Sequence, residues 1–351
     1  MQWMIYGANG YTGEMIAREA KKRGLTPILA GRSSSKVEPL SRELGLEHRN
    51  FGLDTPSDVD TGLAGVGLVL HCAGPFSQTS APMLEGCLRN SSHYLDITGE
   101  IPVFEYAHAQ QQRARDADVV LCPGVGFDVI PTDCIARALK DALPDATHLA
   151  LGFDQPTVLS PGTAKTSVEF AGKGGRVRRN GTIVDVPLAH STRRIDFGNG
   201  RKSAMAIPWG DVSTAYYSTA IPNIEVYVPA SPLVILGAKA ANLFAPLLRL
   251  RLVINALQSL ITKRIQGPDR AARERMPSYV WGEAENACGG KRVARIKTAN
   301  GYSLTITGSL EVVQHLLQSE VPGGAYTPSM LLGPALVTQL PESGAMRIEQ
   351  E

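Results

Sequence analysis

Trp3-Met4-Ile5-Tyr6-Gly7-Ala8-Asn9-Gly10-Tyr11-Thr12-Gly13 opens the chain with a short apolar run followed by glycines at i, i+3 and i+6, and a helical pattern follows. A strand, a tight turn and a helix N-terminus require this order. The first glycine permits the turn, the second lets the backbone approach a pyrophosphate, and the third allows close helix–strand packing. Free N–H groups and the helix dipole then face the anion. The stretch predicts a nucleotide-binding turn built from Gly7, Asn9, Gly10, Tyr11, Thr12 and Gly13. Such spacing also occurs in ordinary loops, and its place directly after an apolar run is what favours the nucleotide reading.

Thr26-Pro27-Ile28-Leu29-Ala30-Gly31 reads as the second strand. Where an NAD-binding protein carries an acidic residue for the ribose hydroxyls, this chain has Arg32-Ser33-Ser34-Ser35-Lys36. A carboxylate there would repel a 2′-phosphate, whereas arginine offers a planar fork of donors and serine adds hydroxyls. Arg32, Ser33, Ser34 and Lys36 therefore point to NADP as the cofactor. The alternative is a solvated Arg32 with serines that merely cap a helix starting near Lys36.

With 351 residues, 43% of them hydrophobic, the chain is long enough for two cores. A formal net charge of +2 leaves no electrostatic footprint for nucleic acid. Cys72, Cys87, Cys122, Cys134 and Cys288 form no CxxC pair and read as reduced thiols of a cytoplasmic protein. Seven scattered histidines imply no metal site. The N-terminus reads as a strand and not as a signal peptide.

Helical stretches at 13–23, 36–44, 81–89 and 101–114 alternate with apolar runs at 28–30, 67–72, 94–97 and 119–122. This predicts an N-terminal Rossmann domain, a doubly wound parallel sheet, over residues 1–144. Ligands bind at the carboxyl ends of such strands, so the loops that follow the runs matter most. They carry Ala73, Gly74, Pro75 and Phe76, then Asp96 and Glu100, then Asp128. Asp54, after the third strand, is placed beside the adenine. For Gly74 and Pro75 ordinary turn chemistry is the competing account.

From 148 to 228, β-branched and polar alternation with turns such as Ser160-Pro161-Gly162 and Asn180-Gly181 reads as a largely antiparallel sheet. A return strand is expected over 293–307. These segments define a second α+β domain over 145–308. Residues 309–351 are expected as a helical segment, through 310–318 and 328–340, packing back on the Rossmann domain. The apolar stretch 229–261 has no span free of charge or proline that is long enough to cross a membrane. Buried helices at a domain or dimer interface are one reading. The wall of a lipidic substrate pocket or a peripheral membrane contact is the other.

Together with the glycine turn and Ala30-Gly31-Arg32, the segments Cys72-Ala73-Gly74-Pro75-Phe76, Tyr94-Leu95-Asp96-Ile97-Thr98-Gly99-Glu100 and Gly126-Phe127-Asp128-Val129-Ile130-Pro131-Thr132-Asp133 resemble the saccharopine dehydrogenase-like oxidoreductases. The nearest likeness is to the branch with the trans-acting enoyl reductases. Later motifs, from Gly174-Gly175-Arg176 to Tyr326-Thr327-Pro328, extend it along most of the chain. The resemblance implies an NADP-binding Rossmann domain, a second domain lining a substrate cleft, and a homodimer. Members differ in substrate from amino-acid imines to polyketide or fatty enoyl thioesters, so kinship does not fix the reaction.

Hydride transfer needs a placed nicotinamide, a proton donor and stabilisation of developing negative charge. No tyrosine and lysine stand at short-chain dehydrogenase spacing, since Tyr94 is followed by Thr98 and Tyr106 by Gln110. Asp96, Glu100 and Asp128 are the catalytic candidates by position, and Lys165, Arg176 and Tyr217 by chemistry. Asp96 and Glu100 either handle protons or hold loops through backbone N–H groups. Arg176, Arg178 and Arg179 offer a cationic site for carboxylates, or exposed hairpin charges. The expected function is an NADPH-dependent reductase of a C=C or C=N bond in a largely apolar small molecule, acyl or lipidic. The alternative is a non-catalytic NADP(H)-binding protein, redox-responsive or lipid-associated.

Overall fold

Every residue of the first strand, β1 (Trp3–Tyr6), is buried, as expected of a central strand covered on both faces. In the computed structural model, which describes residues 1–155, 174–244 and 276–350, β1 pairs in parallel with β2 (Ile28–Gly31) and β4 (Leu68–His71). Around them lie β3 (His48–Asn50), β5 (His93–Asp96), β6 (Val120–Cys122) and β15 (Gly324–Ala325). The seven-stranded parallel sheet runs β15-β6-β5-β4-β1-β2-β3. Its order reverses between β1 and β4, which is the topological switch point.

Alternate residues of these strands feed two cores. Ile5, Leu29 and Leu70 pack with Ile16, Ala17 and Ala20 of α1 (Tyr11–Lys22), and with Leu310, Val313 and Leu316. On the opposite face, Met4, Tyr6, Ile28 and Val69 pack with Val59 and Leu63 of α3 (Pro56–Leu63) and with Met83 and Leu84 of α4 (Phe76–Arg89). Helices α2 (Ser34–Leu44), α5 (Ile101–Ala109) and α6 (Gln111–Asp116) complete the alternation.

Contacts divide the chain into two units: residues 1–134 with 301–341, and residues 135–300 with 342–351. The division falls within α7 (Ile130–Ala142). The second unit is built on a mixed sheet of β7 (Ala146–Asp154), β8 (Gly175–Arg179), β9 (Thr182–Val186), β10 (Thr192–Asp196), β11 (Arg201–Ile207), β12 (Asn223–Pro229), β13 (Ser278–Asn286), β14 (Lys291–Thr298) and β16 (Arg347–Gln350). Its main path is β10-β11-β12-β7-β13-β14-β16, with β8 pairing β12 and β9. Only the β7–β12 pair is parallel among the pairings described. Asn180 and Gly181 both take positive φ, 48° and 79°, as a two-residue hairpin turn requires. Two helices described in this unit are α8 (Asp211–Thr219) and α9 (Pro232–Ala241).

Two elements differ from expectation. The strand expected over 293–307 ends at Thr298, and α10 (Gly301–Gln318) starts at Gly301. The β-branched run Thr305-Ile306-Thr307 reads as strand. In the helix, however, the hydroxyls of Thr305 and Thr307 donate to the carbonyls of Gly301 and Ser303 at 2.8 and 3.0 Å. The chain's end also departs from a wholly helical tail. After α11 (Pro328–Leu332) and α12 (Leu336–Gln339), β16 pairs with β14 of the other sheet. Of the apolar stretch 229–261, α9 and a 3-10 turn (Asn242–Phe244) are described, and residues 245–261 lie outside the described residues, as does the Ser160-Pro161-Gly162 turn.

A Cβ on Gly13 would sit 2.3 Å from the Gly7 carbonyl oxygen, whereas one on Gly237, within α9, would meet nothing within 4 Å. Gly13→Ala is therefore expected to lower stability by about 1–3 kcal/mol. Gly237→Ala should raise it by about 0.5–1 kcal/mol. Thermal denaturation of the two variants tests the contrast.

Candidate functional site

The turn after β1 is held against two strands. Gly7 (φ 85°) and Ala8 donate to the Ala30 carbonyl at 2.7 and 3.1 Å, and Gly10 N donates to Gly7 O at 2.9 Å. A Cβ on Gly7 would lie 2.7 Å from Ala73 N, so the turn touches the loop after β4 at the switch point. Gly10 is the N-cap of α1 and brings no side-chain cap, which leaves first-turn N–H groups for an anion. Thr12 is half-buried in that first turn. Tyr11 is half-exposed, with its ring edge-on to Tyr302 at 5.2 Å.

The end of β2 carries the second part. The Asn9 side-chain oxygen lies 2.8 Å from where a Cβ on Gly31 would stand. Arg32 is exposed and enters no ion pair among the described residues. Ser33 occupies the N-cap of α2 without a cap bond from its hydroxyl, which lies 3.0 Å from Ser35 Oγ. Ser34 and Lys36 are exposed in the first turn. A helix N-terminus, two cations and serine hydroxyls thus meet at one place, as a 2′-phosphate requires. Tyr6 donates to Phe51 O at 3.0 Å. Burial pushes its phenol up to about 12, with Arg32 pulling down and Asp54 pushing up. Arg32 and Asp54 therefore act on the same ring, which brings Asp54 to this end of the site.

Ala73, Gly74, Pro75 and Phe76 form the loop from β4 into α4. Both oxygens of Glu100 accept from the start of that helix, Phe76 N at 3.1 Å and Ser77 N at 3.0 Å. The Thr79 hydroxyl donates to Ala73 O at 2.6 Å. Its proton is thereby committed, so Nε2 of His71, 3.0 Å away, is assigned as donor to Thr79 Oγ1. His71 is buried beside Tyr6, Phe76 and Tyr94, and desolvation lowers its pKa to about 3. It is neutral in the fold. Sequence reasoning missed this pair. The signal was a histidine ending the buried run Leu68-Val69-Leu70.

Asp96 ties two loops together. It accepts from Thr98 N at 2.9 Å, Gly124 N at 2.8 Å and the Tyr94 hydroxyl at 2.6 Å. Full burial nevertheless drives its carboxyl up to about 6, against the downward pull of those three bonds. Asp128 is half-buried, and desolvation also raises it to about 6. It packs on the Asp96–Glu100 loop, where a Cβ on Gly99 would lie 2.9 Å from its Oδ2. The three candidate carboxylates thus gather around one loop, with Asp96 and Glu100 holding backbone. The loop after β6 is also fastened to α10, since Phe127 N donates to Thr305 Oγ1 at 3.0 Å. Thr305 and Tyr302 were hidden by the strand reading of their segment.

The other candidates lie in the second unit or outside the described residues. Arg176 pairs with Asp185 at 3.1 Å across the β8–β9 hairpin. Arg178 is buried, with its guanidinium 4.2 Å from the Tyr216 ring centroid and 6.0 Å from that of Tyr217, and it donates to Val212 O and Gly181 O. Arg179 is exposed at the hairpin's end. A cavity of about 450 Å³ beside them carries Arg193, Glu283, Glu285 and Lys291. Those charges neutralise one another, with Arg193–Glu283 at 2.5 Å and Lys291–Glu285 at 3.1 Å. Lys165 falls outside the described residues.

A parallel sheet with a glycine turn at its switch point and a basic adenosine end defines an NADP-binding Rossmann domain. Residues 3–122 match the family model described as the saccharopine dehydrogenase NADP binding domain. Among curated relatives, the saccharopine dehydrogenase-like oxidoreductase of Rattus norvegicus is 27% identical over 154 residues, covering 38% of this chain and 35% of its own length. The trans-acting enoyl reductase of Mycobacterium leprae (strain TN) is 29% identical over 140 residues, covering 37% and 33%. The match thus spans about a third of the length of these relatives. Among solved structures, apo saccharopine dehydrogenase (L-Glu forming) from Saccharomyces cerevisiae aligns over 100% of this chain and 99% of its own, with a TM-score of 0.62 and 10% identity. The homospermidine synthase of Legionella pneumophila, in complex with NAD, aligns over 100% and 91%, with a TM-score of 0.61 and 11% identity. At those identities the likeness is one of fold. The resemblance to saccharopine dehydrogenase-like oxidoreductases and the NADP assignment therefore hold.

Two outcomes are expected. Asp96→Asn keeps an acceptor for the N–H groups of Thr98 and Gly124, whereas Asp96→Ala strands both and should cost about 2–4 kcal/mol in denaturant unfolding. Asp128 has a carboxyl raised from 3.8 to about 6, so its contribution to stability is full below the unfolded value and is lost as pH rises through the folded one. Asp128→Asn should therefore gain stability relative to the wild type between about pH 4 and about pH 7, by on the order of 2 kcal/mol. Melting temperatures across that range check the sign.

Proposed function

We propose that this protein is an NADPH-dependent oxidoreductase that reduces a C=C or C=N bond in a largely apolar substrate. The observation that carries the reading is the exposed Arg32 with Ser33 and Lys36 at the start of α2, beside the Gly7–Gly13 turn. The names of the relatives, an oxidoreductase and an enoyl reductase, support it at the level of class. The bound nucleotide supplies the hydride.

The chain's own groups do the rest. First-turn N–H groups of α1 would hold the pyrophosphate, and Arg32 with Lys36 would hold the 2′-phosphate. Glu100 and the Thr79 hydroxyl fix the loop from Ala73 to Phe76 at the switch point, which would border a bound dinucleotide. Asp96 is a positioning residue for the 96–100 and 123–128 loops. Asp128, with a carboxyl near 6, sits close enough to neutrality to exchange a proton with the substrate. The second reading is a non-catalytic NADP(H)-binding protein, favoured by the commitment of Asp96 and Glu100 to backbone N–H groups.

Parallel fluorescence titrations with NADPH and NADH separate these steps. Arg32→Ala should weaken NADPH binding by about 10- to 100-fold and leave NADH almost unchanged. A substrate screen then begins with enoyl thioesters and cyclic imines. For whichever is turned over, Asp128→Asn should reduce kcat by about 10²- to 10⁴-fold with NADPH affinity retained. Unchanged turnover would remove Asp128 from proton transfer. Tight NADPH binding without oxidation by any substrate would favour the non-catalytic reading.

A further inference from the structure

Helix α9 inverts the usual arrangement, in which a helix on a globular domain turns its apolar side inward. None of its residues is buried. Leu233, Val234 and Leu236 are 80%, 52% and 65% exposed, and Leu243, in the turn that follows, is 80% exposed. The better-covered positions are the smaller or polar Ala238, Ala241 and Asn242, together with Ile235. Leu233, Leu236, Ala240 and Leu243 succeed one another at intervals of three, four and three, and so line one outward stripe.

The stripe is held in place. Ser231 Oγ accepts from Val234 N at 3.4 Å and starts the helix. At its other end the Asn242 amide grips residue 188 of the same unit, accepting from Leu188 N at 2.8 Å and donating to Leu188 O at 3.1 Å. These bonds fix which way the leucines face. A fixed apolar patch of this kind marks a surface that is covered in use.

Charge identifies what covers it. Between Glu225 and Asp269 the sequence contains no acidic residue and five cations: Lys239, Arg249, Arg251, Lys263 and Arg264. An apolar groove on a protein partner needs no such bias, whereas a layer of anionic headgroups attracts it. Lys239 is exposed on α9 itself, where its aliphatic stem can lie along the apolar side while the ammonium reaches outward. No helix among the described residues is long and apolar enough to cross a membrane.

We propose that α9 and the turn after it dock the second unit on an anionic membrane surface, with Leu233, Leu236 and Leu243 entering the boundary between headgroups and acyl chains and Lys239 pairing with the headgroups. The site is independent of the reaction assigned to the nucleotide-binding unit.

Flotation of the full chain with vesicles tests this, using phosphatidylcholine alone and phosphatidylcholine mixed with phosphatidylglycerol. The protein is expected to float with the mixed vesicles, less with the neutral ones, and less at high salt. The double variant Leu233→Ser/Leu236→Ser should lose at least about tenfold in partitioning, and Lys239→Glu should lose binding to the mixed vesicles selectively. Both leucines are exposed, and an unchanged circular dichroism spectrum and melting transition report that the fold is intact. Failure of the wild type to float with mixed vesicles, or equal flotation of the double variant, would overturn the proposal. A wild-type dimer that the double variant turns to monomer in sedimentation, without vesicle binding, would instead assign the stripe to a second copy of this chain.

Discussion

The contact between Gly13 and the Gly7 carbonyl sets how closely α1 approaches β1, and the nucleotide-binding unit is arranged around it. With no side chain between turn and helix, the first-turn N–H groups of α1 come within reach of the strand ends, and Ala73 closes on Gly7 from the neighbouring loop. The flanking strands then bring their own loops to the same edge. Residues far apart in sequence, from Arg32 to Asp128, thereby follow the same ends of one sheet.

Buried carboxylates hold that edge in shape. Asp96 bonds two loops and a tyrosine at once, and Glu100 reaches back to α4. Burying such groups is costly unless their bonds are made. The raised carboxyl of Asp96 shows that the compensation is incomplete, since three donors do not offset its removal from water. His71 makes the complementary adjustment by remaining neutral while it orients Thr79.

Much of this was legible in the sequence because parallel strands buried on both faces are continuous apolar runs, and because glycine spacing encodes the turn. Arg32 could be placed because it directly follows the run 26–31 that reads as the second strand. The clamps were less legible. Asp96 and Glu100 allowed either proton handling or loop holding, and only the positions of Thr98, Gly124 and Phe76 reveal their bonds. Thr305 and Thr307 misled because β-branched residues favour strands, while their hydroxyls can also satisfy a helix carbonyl one turn back. The pairing of β16 with β14 joins residues distant in sequence, which no local pattern encodes.

Glu100 has one more consequence. Two helices, α1 and α4, begin at the switch point, and each would present a positive pole to a passing phosphate. At α4 the chain supplies its own anion, the Glu100 carboxylate on the N–H groups of Phe76 and Ser77. That terminus is internally neutralised, while α1 is left without a side-chain cap. The chain thus carries its own counter-ion at one of the two helix starts beside the switch point and leaves the other open.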